Sequence, residues 1–173
     1  MNSLASKFAL RFGIFWLIQV AVLRYMVWGW GGEVYLQFFL YPLFILLLPF
    51  RTPRIVLLLL AFALGLSVDF VYNSIGLHAG TLVFTAFLRD LVYAIIKPRE
   101  GYSLTDTPTK YDKGDAWFLR YAALMLLIHF FFYYSLEAFT YYYWWTILIK
   151  IVFSWIGSMA LLLMWIYVFN PKE

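Results

Sequence analysis

Residues 55–72, IVLLLLAFALGLSVDFVY, are followed by four residues, NSIG (73–76), and a second apolar run, LHAGTLVFTAFLRDLVYAII (77–96), and this stretch decides the fold class. Each run matches the length of helix that spans the hydrocarbon core of a bilayer, roughly 17–25 residues. Two such runs joined by four residues must reverse direction in the connection, and Gly76 suits a tight reversal. The solvent for these runs is lipid.

Working outward, apolar runs punctuated by Pro, Gly and charge place further spans at 8–27, 34–50, 117–139 and 144–169. The sequence therefore predicts a single all-α integral membrane domain of about six transmembrane helices filling 1–173. The spans at 34–50 and 55–72 are short, near the lower limit for crossing. Pro42 is expected to kink the first of them, because proline removes a backbone donor and clashes with the preceding turn. Composition agrees: 65% of the 173 residues are hydrophobic, against about 45–50% in soluble domains. The first run follows Lys7 and passes Trp16, Gln19 and Arg24 without a small-residue cleavage site, so it is read as a retained span.

Lys and Arg segregate between alternate connections. Lys7, then Arg51 and Arg54, then Lys97, Arg99, Lys110 and Lys113, then Lys172 mark one side. The connections 28–33, 73–76 and 140–143 carry none. Cytoplasmic loops retain basic residues, so both termini are expected in the cytoplasm. Trp28, Trp30, Tyr141, Tyr142, Tyr143, Trp144 and Trp145 then fall at the outer interface, where amphipathic rings favour the headgroup level. The loop 97–116 is rich in Thr, Asp, Lys and Pro and is expected to be a flexible cytoplasmic connector. The formal charge of +4 comes from dispersed bases, with no dense run of the kind that binds nucleic acid. The absence of cysteine excludes disulfides, thiolate metal sites and thiol nucleophiles.

Ionisable residues inside a span are costly and need partners. Arg24, Asp69, His78, Glu137 and Lys150 fall in the outer half. Two bases and two acids at matched depth, Arg24, Asp69, Glu137 and Lys150, predict an intramembrane charge network in which Asp69 finds Arg24 or Lys150. An interhelical staple, an outward-opening polar cavity and snorkelling to the interface all remain open as its role. In the inner half, Arg89 is expected to reach toward headgroups and Asp90 toward a neighbouring helix. His129 reads as a buried hydrogen-bonding residue. Small residues mark close-packing faces: Ala61, Gly65 and Asp69 on one helix, Gly76 and Gly80 on the next, and Ser154, Gly157 and Ser158 on the last.

Catalytic templates are missing. There is no serine, histidine and acid set with diagnostic spacing, no His-Glu-x-x-His, no phosphate-binding glycine loop and no histidine pair at metal spacing. The expected protein is not an enzyme and carries no cofactor or metal, with acid–base chemistry by Asp69 and His78 the alternative left open.

The stretch Gly65-Leu66-Ser67-Val68-Asp69, followed by Ile75-Gly76-Leu77-His78-Ala79, resembles the MreD family of rod-shape-determining membrane proteins. That family pairs a Gly-Leu-x-x-Asp helix with a short turn and a Leu-Gly-Leu-His-Ala-like helix start. The resemblance covers residues 57–88 and assigns Gly65, Asp69, Gly76 and His78 to a helix-packing motif. It implies a non-enzymatic scaffold of the cell-elongation complex that supports peptidoglycan synthesis. The implied partners are MreC, then RodA and a class B transpeptidase directly or through MreC, and the MreB filament indirectly. The family is also similar in fold to the substrate-binding subunits of energy-coupling-factor transporters, which implies an alternative role as the membrane subunit of a vitamin-like carrier. The aromatic last two spans, the 97–116 loop and Lys150 depart from the family pattern.

Overall fold

The computed structural model describes residues 2–74, 76–98, 101–102, 107–140 and 142–169. Ile75, Arg99, Tyr141 and Lys172, used above, lie outside them. In chain order the elements are α1 (Asn2–Ala21) with a 3-10 turn (Leu23–Tyr25), β1 (Val27–Trp30), β2 (Glu33–Gln37), α2 (Pro42–Leu46), α3 (Arg54–Tyr72), α4 (Leu77–Ile95), α5 (Lys110–Lys113), α6 (Asp115–Ala138) and α7 (Trp144–Phe169). The protein is mostly helical, and four stretches are long and apolar enough to cross a membrane: Phe8–Tyr25, Arg54–Tyr72, Asp115–Ala138 and Trp144–Val168. α4 is as long as α3, but His78, Arg89 and Asp90 make it less apolar.

The helix expected at 34–50 is absent, and a β-hairpin followed by a buried irregular segment takes its place. Gly31 and Gly32 both adopt positive φ, +63° and +85°, the conformation of the two-residue hairpin turn whose twist matches its strands. The strands pair antiparallel, Val27 opposite Gln37 and Trp30 opposite Glu33, with an irregularity between Trp28 and Gly29. Residues 34–41, VYLQFFLY, are mostly aromatic or β-branched and favour an extended backbone. Pro42 then opens α2 at its first turn, where a missing N–H is harmless, and so does not kink a long helix.

Residues 38–53 return along the bundle. Gln19 and Arg24, near the end of α1, both reach Tyr72 at the end of α3. Phe8, early in α1, shares a cleft with Pro53 and Val56 at the start of α3. α1 and α3 are therefore parallel, and the chain between them runs the other way. Every residue from Phe39 to Leu48 is buried, so this segment is the axis on which the helices pack. Around it, α3 packs on α4, α4 on α6 and α6 on α7, while α7 also holds β2.

Non-helical backbone at membrane depth is tolerated only where protein surrounds it and satisfies its polar groups. Side chains supply those bonds here. The Gln37 N–H donates to Ser154 Oγ (3.0 Å) and the Phe39 N–H to Ser158 Oγ (2.8 Å). Gln19 accepts from the Leu40 N–H (2.9 Å) and donates to the Phe38 carbonyl (3.1 Å). α1 and α7 thus clamp the strand exit from two sides. At the other end, Tyr121 donates to the Leu46 carbonyl (3.1 Å), and Arg89 donates to the carbonyls of Leu48 and Pro49. The Ser154, Gly157 and Ser158 face, expected against another helix, receives this extended chain. A Cβ on Gly157 would lie 2.8 Å from both Leu36 Cδ1 and Phe38 Cε1.

Arg89 and Asp90 reverse their expected roles. Arg89 is 1% exposed and ties α4 to the returning segment, with Tyr93 also accepting from its Nε, whereas Asp90 is exposed. Within 97–116, Tyr102, Thr107 and Thr109 are folded against the protein, while residues 111, 112 and 114–116 are exposed. Tyr102 donates to the Tyr93 carbonyl (2.9 Å) and rings with Phe50 and Trp117, and Thr107 and Thr109 are buried.

Candidate functional site

The α3–α4 junction collects the motif residues. Asn73 closes α3 in the left-handed region (φ +54°), and Gly76 precedes α4 at φ +75°. That pair of positive φ values makes the reversal possible. Gly76 has open space around it, so it serves the turn and not close packing. Gly65 carries the close contact: a Cβ there would sit 2.5 Å from Ala79 Cα and 2.7 Å from the His78 carbonyl oxygen.

Asp69, one turn further along the same face, is 4% exposed. Its Oδ1 accepts from the His78 N–H (2.9 Å) and the Ser74 hydroxyl (2.6 Å), and its Oδ2 from the Ala79 N–H (2.9 Å). The carboxylate therefore caps α4 from a neighbouring helix, where exposed N–H groups and the helix dipole favour negative charge. The expected pairing of Asp69 with Arg24 or Lys150 is not made, because three N–H and O–H donors nearer to the carboxylate already occupy it. Lys150 instead pairs with Glu33 (2.9 Å) and Glu137 (3.9 Å). Arg24 lies over the rings of Tyr25 and Tyr72. The four charges predicted as one network are divided into a cap, a cation on aromatic rings, and a lysine shared by two acids. Glu33, in the connection 28–33, joins this group because the hairpin carries it to within 2.9 Å of Lys150.

His78 extends from the capped turn into the core and meets a second histidine that the sequence placed far away. Tyr41 Oη lies 3.0 Å from His78 Nδ1 and 2.8 Å from His129 Nε2, and His129 Nδ1 lies 3.0 Å from Thr85 Oγ1. Thr85 donates to the Thr81 carbonyl (2.8 Å), which fixes the proton order for neutral rings. His129 Nδ1–H donates to Thr85, its bare Nε2 accepts from Tyr41, and Tyr41 accepts from His78 Nδ1–H. His78 Nε2 is left as a buried acceptor without a protein partner among the described residues. The relay ends on a backbone carbonyl, so it orients two imidazoles but has no exit for a proton. Among the described residues, no three His, Cys, Asp or Glu side chains converge as a metal site would require.

Among the described residues, two openings lie at the same end of the bundle. One, of about 460 Å³, is lined by Glu33, Tyr134, Glu137, Tyr143 and Lys150 among others. The other, of about 440 Å³, lies beside Leu66, Asp69, Asn73, Ser74 and Gly76. No signal in one sequence identifies Tyr41 or Gln19 as junction residues, since both lie in apolar runs. The Gly-Gly pair between Trp30 and Glu33 did carry a hairpin signal. Comparisons with family models, curated proteins and solved structures find no match to this chain.

Proposed function

We propose that the protein is a non-enzymatic scaffold of the MreD type in a bacterial inner membrane, holding cell-wall synthesis proteins together through contact with MreC. The observation that carries this reading is the use of the motif residues. Gly65 and Asp69 join α3 to α4 through backbone contacts and backbone hydrogen bonds, which is how a rigid binding platform is made, with the Asp69 carboxylate spent on capping α4. Six passes, five as helices and one as the clamped segment 38–53, account for the alternation of basic connections. Arg51 and Arg54 then share the cytoplasmic side with Lys97, Lys110 and Lys113, and the tryptophan-bearing hairpin lies outside.

Affinity purification of the tagged protein from its native membrane in mild detergent, with mass spectrometry, tests the reading. Enrichment of MreC with RodA and its transpeptidase is expected. Recovery of ATPase subunits, or of none of the wall machinery, overturns it. The second result favours the other reading, a substrate-binding subunit of a small-molecule transporter, for which the 460 Å³ cleft is the supporting observation.

A further inference from the structure

Where the end of α6, the start of α7 and the hairpin meet, the 460 Å³ cleft has a polar wall of Glu33, Tyr134, Glu137, Thr140, Thr146 and Lys150. Two carboxylates share one ammonium there: Lys150 Nζ lies 2.9 Å from Glu33 Oε2 and 3.9 Å from Glu137 Oε2. Glu33 holds the close contact and Glu137 the longer one, and the three groups together carry a net charge of −1. The side chains of Lys150 and Glu137 are 18% and 33% exposed, and charges so withdrawn from water are screened less than on an open surface. The Tyr134 hydroxyl is held by Ser154 at 2.6 Å, which fixes that part of the wall.

We infer that this cleft binds a primary ammonium group, with Glu137 as its counter-ion. A primary ammonium has three N–H donors, and Thr140 and Thr146 line the same cleft as the carboxylates. The cleft volume falls in the range of small-molecule pockets, about 300–1,000 Å³. Two sources present this chemistry, the headgroup of an amine-bearing phospholipid and a free small amine. The inference stands on the charges of the cleft and does not depend on the scaffold role.

Charge counting gives three variants opposite signs. Glu137→Gln removes the counter-ion and weakens binding about tenfold or more, the effect of losing one hydrogen bond to a charged group. Glu33→Gln also weakens it, because Lys150 is then free to neutralise Glu137. Lys150→Met leaves two uncompensated carboxylates and tightens binding. The readouts are the thermal unfolding midpoint and Kd, with ethanolamine added to detergent-purified protein, and with nanodiscs of phosphatidylethanolamine against phosphatidylcholine, whose headgroup nitrogen has no N–H.

A Glu137-dependent response to ethanolamine identifies a free amine as sufficient. A response confined to phosphatidylethanolamine identifies the lipid headgroup, and either supports the inference. No response to any probe, or responses unchanged in Glu137→Gln and Lys150→Met, overturns it. Circular dichroism and elution volume establish folding for each variant, and the gain expected for Lys150→Met cannot arise from misfolding.

Discussion

The α3–α4 unit and the segment 27–53 solve the same problem in opposite ways. In residues 54–95 the backbone satisfies itself within two helices, and only the turn needs help, which Asp69 gives from nine and ten residues away. In 27–53 the backbone leaves its own hydrogen bonds at Gln37 and takes partners more than a hundred residues distant, Ser154 and Ser158, as well as Gln19. The difference teaches that a polar residue inside an apolar bundle need not mark a site. It can be the missing half of another segment's backbone.

Breaking the tightest helix contact should have the largest effect. Gly65→Leu forces a side chain into backbone at 2.5 Å and should cost about 3 kcal/mol or more, read as loss of monodisperse protein or a large drop in unfolding midpoint. Gly80→Leu, on the facing helix with nothing within 4 Å, should stay within about 0.5 kcal/mol. Equal effects would remove the distinction between the two glycines.

Gln19→Leu comes next. It leaves the Leu40 N–H and the Phe38 carbonyl without partners and should cost about 3 kcal/mol, measured by thermal unfolding in detergent. The accompanying sign is faster amide exchange at Leu40 while α3 amides keep their protection. Uniform acceleration would mean that the two regions do not behave as separate units.

Asp69→Ala uncaps α4, and about 2 kcal/mol is expected, with exchange rising at His78 and Ala79 first. Under the scaffold reading, the same variant inserts normally but recovers less MreC. Full recovery would detach this junction from partner binding. Ser158→Ala should be the mildest of the destabilising set, about 1 kcal/mol, because it orphans only the Phe39 N–H.

The sequence made the α3–α4 unit legible because its information is local: two apolar runs, a turn with a glycine, and Asp69 one turn from Gly65. The basic connections likewise marked one end of the bundle. Gly31 and Gly32 signalled the hairpin turn, but the run 34–50 that follows stayed illegible, since a largely apolar run reads alike whether it coils or extends. What distinguishes it lies elsewhere in the chain, in Gln19, Ser154, Ser158 and Arg89. The charge network was misjudged because matched depth says nothing about azimuth. Asp69 faces α4, while Lys150 faces Glu33 on a hairpin that was not foreseen.

The central claim is that polar side chains of α1 and α7 hold a non-helical passage through the bundle. The most direct test is the set of backbone carbon chemical shifts of residues 34–41 in isotopically labelled protein reconstituted in lipid. Extended-chain shifts through Leu40, changing to helical at Pro42, are the result this account predicts. Continuous helical shifts across 34–46 would contradict it.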